Sequence, residues 1–384
     1  MSTATARPAR NAAPAANVRD KFHAARAAMC AGLVERDAEI DLVMAGLAAG
    51  ENVLLVGPPG CGKSMLFDGL VAGIDGNTFS ILLTKFTAPE EVMGPLSIAA
   101  LKNERFARVT ANRLPEAHVA FVDEIFKASS AIQNTMLRLL NEGVFENDGR
   151  WHKAPLRFTV AASNEWPNPE NGGAELGAML DRFTLRKSVR PVRSRRGEER
   201  LLFADDLGFD FPDRITPGDI DHARDEAAAL PWSDEARDAI RDVLARLAKE
   251  GIVPSDRRKR KSVAVARASA WLAGAGAVAP EHMEVLVHVL WDVPGEQQVK
   301  AEEVIGQVCN PVGLRINALL LEAEGLLSVN AKDAGATVAA ISKLGEINNS
   351  LKKLGESTPK VRAAIDYVNN ETKALRLKYV ETVG

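Results

Sequence analysis

Apolar positions along this chain of 384 residues fall into two regimes, short continuous runs in the first half and helical spacing in the second. Asn52-Val53-Leu54-Leu55-Val56, His118-Val119-Ala120-Phe121-Val122 and Arg157-Phe158-Thr159-Val160-Ala161-Ala162 read as buried strands. Thr78 to Leu83 reads as a further strand. Helical patterns lie between them. Phe22 to Gly50 predicts two helices broken near Gly32, the second carrying Ile40, Leu42, Val43, Met44 and Leu47 and stopped by Gly50. Another helix starts near Lys63, with Met65, Leu66, Leu70 and Val71 among its apolar residues. A third places Ile132, Met136, Leu139 and Leu140 on one face and closes at Asn141-Glu142-Gly143. Val144-Phe145-Glu146, Asp148-Gly149 and Trp151-His152 then predict a β-hairpin. Strands alternating with helices give an α/β core over 18–190, a parallel sheet flanked by helices.

Residues 191–214 read as a linker, part of a charged stretch with short helices punctuated by Gly208, Pro212 and Pro217. The segment 215–305 predicts an all-helical unit. Ser233 caps a helix with Ala236, Ile240, Val243, Leu244 and Leu247 inside, and Gly251 stops it. A second helix runs from about Arg258 to Leu272, and a third starts after Pro280 with Met283, Leu286, Val287 and Leu290. In the extension 306–384, Ile341, Leu344, Leu351 and Leu354 form one stripe; Val361, Ile365, Val368, Leu375 and Tyr379 form another. Ser357-Thr358-Pro359 separates them, so an antiparallel helical hairpin is expected, for docking or packing. Residues 1–17, rich in Ala, Pro and Arg, read as a disordered tail and not a transit peptide.

Composition adds limits. Hydrophobic residues at 46% and charged residues at 26% are ordinary for a globular protein, and a net charge of −3 gives no global pull toward nucleic acid or membrane. Cys30, Cys61 and Cys309 lack metal-ligand spacing and suggest a reducing, cytoplasmic setting. The histidines form no cluster, and no run approaches a membrane span.

The candidate chemistry begins where the strand at Val53–Val56 meets Gly57-Pro58-Pro59-Gly60-Cys61-Gly62-Lys63-Ser64. This fits G-x-x-x-x-G-K-[ST], a loop whose glycines let backbone N–H groups cradle phosphates. Lys63 can reach the β- and γ-phosphates, and Ser64 can ligate Mg²⁺. Asp123-Glu124 ends a buried strand; Asp123 suits the metal's hydration shell and Glu124 suits polarising a water. Asn164 ends the next strand, where its amide can reach the γ-phosphate. Arg182, with Arg186 and Arg190 as nearby competitors, is placed to stabilise charge on a neighbouring subunit's phosphate. The basic run Arg257 to Lys261 supports three readings: a solvated helix start, a weak nucleic-acid patch, or an arginine that senses nucleotide.

Taken together, Gly57 to Ser64 and Val119 to Glu124 resemble the Walker A and B motifs of AAA+ ATPases. Phe121-Val122-Asp123-Glu124-Ile125-Phe126-Lys127-Ala128 with Leu139-Leu140-Asn141-Glu142 resembles the MoxR family in particular, and Ser255-Asp256-Arg257-Arg258 with Ala268-Ser269-Ala270-Trp271-Leu272 resembles the lid of its RavA branch. Ala162-Ser163-Asn164-Glu165 resembles sensor 1, Leu180-Asp181-Arg182-Phe183 the arginine-finger segment, and Arg257 sensor 2. The resemblance covers about 18–295. It implies a hexameric ring with ATP and Mg²⁺ between subunits, with Arg257 acting either in its own subunit or across the interface. It also implies a partner bearing a von Willebrand factor A domain, and chaperone-like remodelling of a protein client. Two other classes share such a core: a nucleic-acid motor, and a nucleotide-switched scaffold with little turnover. Intact Glu124 and Arg182 argue against the scaffold.

Overall fold

The computed structural model describes residues 17–167, 179–204, 207–327, 334–355 and 359–383. The expected tail and the Ser357-Thr358 break therefore lie outside the described residues, apart from Asn17. The alternating half folds as α1 (Val18–Gly32), α2 (Asp37–Ala49), β1 (Val53–Val56), α3 (Lys63–Ala72), β2 (Thr78–Leu82), the short α4 (Pro89–Met93) and α5 (Ile98–Leu101), β3 (Val119–Asp123), α6 (Ser130–Glu142), the hairpin β4 (Val144–Asn147) and β5 (Arg150–Lys153), β6 (Phe158–Ser163) and β7 (Leu185–Ser188). Five strands form one parallel sheet in the order β2-β3-β6-β1-β7. Side chains alternate between two cores. Leu54, Val56, Ala120, Val122 and Ala161 face one core with residues of α4 and α6, whereas Val53, Leu55, Phe121, Phe158 and Val160 face the other with residues of α1 to α3. Burial on both faces is why these strands read as unbroken apolar runs.

The sequence reading missed the edge strand β7. Leu185-Arg186-Lys187-Ser188 carries two charges, and only its pairing with β1 (Val53 opposite Leu185) fixes it as a strand. The turn of the hairpin is as expected, with Asp148 and Gly149 at φ 54° and 70°.

The helical half comprises α7 (Arg195–Phe203), α8 (Pro217–Ala229), α9 (Asp234–Lys249), α10 (Asp256–Leu272), α11 (Glu296–Cys309), α12 (Pro311–Leu327), α13 (Ala334–Lys353) and α14 (Pro359–Val383). Ser233 caps α9 and Ser255 caps α10 as their positions predict. The segment after Pro280 is a 3₁₀ helix, Pro280–His288, where an α-helix was expected. Trp291 Nε1 donates to Val287 O at 2.7 Å, satisfying one of the carbonyls left open at the end of that helix. Helices α8 to α11 share one continuous core with α1 to α3; Phe22 meets Trp271 edge-on at 5.2 Å. The C-terminal stripes do pack on one another as a hairpin. Ile316, Leu319 and Ala323 of α12 join them, so the extension is a three-helix bundle with its own core.

Candidate functional site: a phosphate loop and a separate arginine cluster

The ends of β1, β6 and β3 are adjacent, and each delivers one part of the site. Gly57 N–H donates to Ser163 O at 3.1 Å, tying the loop to β6. A Cβ on Gly57 would lie 2.2 Å from Val189 O, so backbone proximity forces glycine there. Gly60 and Gly62 take φ of 78° and 83°, which turns the loop back over its helix. Pro58, Pro59 and Gly60 form an exposed crest, while Cys61 is buried. Leu66 N–H, bonded to Gly62 O, is the first to close a backbone turn of α3, so the N–H groups of Lys63 and Ser64 start the helix without an intrahelical partner. Lys63 is buried, and its Nζ donates to Gly57 O at 2.5 Å, Pro58 O at 3.0 Å and Asn164 Oδ1 at 3.1 Å.

Asn164 bridges this lysine to the acidic pair, because its Nδ2 donates to Glu124 Oε1. An ammonium facing Oδ1 and a carboxylate facing Nδ2 fix the amide's orientation. Glu124 also pairs with Lys127 Nζ at 3.1 Å. Its φ of 54° is left-handed, an uncommon conformation for a glutamate, just past the end of a strand. Asp123 is half-buried, and that burial pushes its carboxyl above the ordinary aspartate range, against the opposing bond from Glu124 N–H at 2.9 Å. Among the described residues no three His, Cys, Asp or Glu cluster as a metal site. Mg²⁺ needs no such cluster when substrate oxygens and waters complete its shell, so exposed Ser64 with Asp123 fits it.

One supporting residue had no sequence signal. Arg36 is buried beneath the loop, and its guanidinium donates to Cys61 O at 3.0 Å and Arg190 O at 2.9 Å. It precedes α2 and reads locally as an ordinary polar residue. A cavity of about 420 Å³, with Arg36, Glu39, Arg190, Pro191 and His288 among its lining, opens beside it. Burial, with Lys187 nearby, pushes the His288 imidazole down to about 3.

The arginines lie elsewhere. Asp181 pairs with Arg258 at 2.9 Å, Arg182 at 3.8 Å and Arg257 at 3.9 Å. Arg182 Nε is sealed from solvent without a hydrogen-bond partner, and burial followed by the charge of Arg257 lowers its pKa. This cluster immediately precedes β7, whose first residue pairs with Val53 at the amino end of β1. The phosphate loop leaves the carboxyl end of that same strand. Four residues of strand span about 13 Å. Lys63, Asp123, Glu124 and Asn164 therefore share one edge of the sheet, and Arg182 and Arg257 share the other. Arg186 is withdrawn from both: it is 1% exposed, bonds Phe183 O at 3.0 Å and lies over the Trp291 ring at 5.1 Å. Arg190 is exposed.

Residues 20–207 match the model of a MoxR domain found in MoxR–vWA–beta-propeller ternary systems, and residues 236–305 match an AAA lid domain. An uncharacterized protein of Methanocaldococcus jannaschii is 39% identical over 266 residues, 68% of this chain and 69% of the relative. The chaperone MoxR1 of Mycobacterium tuberculosis is 27% identical over 168 residues, 41% of each chain. A crystal structure of a candidate ATPase from Cytophaga hutchinsonii shares the fold, with a TM-score of 0.61 at 18% identity over 76% of this chain and 95% of the other.

Proposed function

This chain belongs to the MoxR family of AAA+ ATPases, and on that premise we propose that it hydrolyses Mg²⁺-bound ATP at sites completed between subunits of a six-membered ring. Lys63 and the outward N–H groups of the loop hold the β- and γ-phosphates. Ser64 and Asp123 hold the cation, which when bound spreads charge developing on the phosphoryl oxygens. Glu124 polarises the attacking water. Asn164 keeps that carboxylate aimed, since it already touches both Glu124 and Lys63. Arg182 and Arg257 enter the neighbour's site and neutralise its γ-phosphate. The observation that carries this reading is the separation of the two clusters by the length of β1, with Arg182 Nε unpartnered on the far edge.

Hydrolysis drives relative motion of the α/β core and the helical lid, and the ring passes that motion to a protein client. A partner with a von Willebrand factor A domain is supported by the ternary systems after which the matching family model is named. The Ser255 to Arg258 segment and the lid wording favour a RavA-like branch. Among the described residues no helix is long and apolar enough to cross a membrane. The free thiols Cys30, Cys61 and Cys309 suit a reducing compartment, and on them we place the ring in the cytoplasm.

Steady-state turnover tests the chemistry. Glu124→Gln is expected to lose about 10²-fold or more, and Arg182→Ala about 10³-fold, with ATP still bound. Unchanged turnover in both variants would sink the reading. For the client, Glu124→Gln held in ATP is expected to capture a von Willebrand factor A protein, and recovery of DNA alone overturns that half.

A further inference from the structure

Many arginines in this molecule are matched to acids, as Arg157 is by Asp221, Arg246 by Asp242 and Arg258 by Asp181. A cavity of about 220 Å³ between α8 and α10 breaks that pattern. Arg224 comes from α8; Arg260 and Arg267, seven residues apart and so on one face, come from α10. The remaining lining is Val263 and small alanines, including Ala48 and Ala49 at the end of α2. No Asp or Glu among the described residues lines it.

The nearest charges are already used. Asp221 is held by two bonds from Arg157, both 2.9 Å. Lys261, on the same helix, is bound to Glu51 and Thr184. Arg224 donates to Arg157 O at 3.2 Å, yet its Nε is sealed from solvent with no acceptor. Arg267 Nε is sealed and unpartnered too. The sealed Nε atoms cannot themselves reach a ligand in the cavity; what the cavity offers is three guanidiniums with no acid among the described residues of its lining. Gly50 helps to build the site: a Cβ there would lie 2.3 Å from Arg224 Nε, so only glycine lets that guanidinium lie across the end of α2.

Guanidinium forks match the oxygens of phosphate better than any other side chain does. We propose that this cavity binds a small phosphate-class oxyanion, either free orthophosphate or the phosphate group of a small ester. It adjoins the end of α2, which leads through Glu51 into the amino end of β1, away from the loop at the other end of that strand. Its ligand therefore does not compete with the ATP held by the same subunit's loop.

The test uses the full chain saturated with Mg²⁺ and a non-hydrolysable ATP analogue, so that the γ-phosphate position is filled. Inorganic phosphate is titrated at constant ionic strength while the thermal midpoint is followed. A saturable rise is expected in the native protein, with the apparent Kd weakened about tenfold in Arg260→Gln and in Arg267→Gln. Arg260 is exposed, so its variant folds and keeps the test open if Arg267→Gln does not. Glycerol phosphate competing with orthophosphate supports an ester ligand; orthophosphate binding alone supports the free ion. An equal rise with matched chloride, or a rise unaltered in both variants, overturns the site.

Discussion

Arg257 and Arg258 are neighbours in sequence with opposite surroundings. Arg258 is 4% exposed; it pairs with Asp181 and Asp292 and donates to Val289 O and Trp291 O. It fastens the segment before β7 to the end of the 3₁₀ helix. Arg257 is exposed beside Arg182. Arg258→Ala is expected to cost on the order of 2–3 kcal/mol, because two carbonyls and part of two carboxylates lose their partner. Arg257→Ala is expected to stay within about 0.5 kcal/mol of the native stability while lowering turnover. Urea unfolding beside ATPase rates separates the two; equal destabilisation would refute the division. The basic run itself was legible, and Arg257 was singled out by the resemblance alone. The allocation of the run was not legible, because a helix sends successive residues to different neighbours: Lys261 to Glu51, Arg260 to the arginine-lined cavity.

At the scale of elements, the strands that carry the site were legible because each is covered on both faces and ends on polar residues. The segment β7 was hidden by its two charged residues, Arg186 and Lys187; Arg186 is buried against Phe183 O and the Trp291 ring. The 3₁₀ helix Pro280–His288 was hidden too, and a tryptophan side chain satisfies a carbonyl at its end. His288 closes that helix with Nδ1 sealed and unpartnered. Its depressed pKa has a definite sign. The folded state keeps the ring neutral down to about 3, whereas the unfolded chain takes up a proton near the ordinary value of 6.5. The stability it contributes is therefore fully present above 6.5 and is lost as pH falls toward 3. The thermal midpoint of the native protein should fall more steeply between pH 7 and pH 5 than that of His288→Leu. Parallel midpoints across that range would show that the ring is hydrated in solution.

For the whole molecule, the sheet sets a geometry that no motif spells out. Lys63 and Glu124 lie at the carboxyl edge and Arg182 lies at the amino edge. Part of this could be anticipated, since each motif was readable where it stood. Arg182 was already offered to a neighbouring subunit; what stayed hidden is the pairing of β7 with β1, which puts the two clusters at opposite ends of one strand. On the proposed reading, such a site is completed when one subunit's amino edge meets the next subunit's loop, a heterologous contact that forms a ring where its rotation closes. Mixing tests that arrangement directly. Glu124→Gln subunits keep a sound Arg182, and Arg182→Ala subunits keep a sound Glu124. Each alone is expected to be nearly inactive. In rings assembled at random from equal amounts, about one interface in four joins a sound Glu124 to a sound Arg182, so about a quarter of native turnover should return. Differently tagged subunits recovered together establish that mixing occurred. If mixed rings form and no activity returns, Arg182 serves its own subunit's nucleotide and the shared site is wrong.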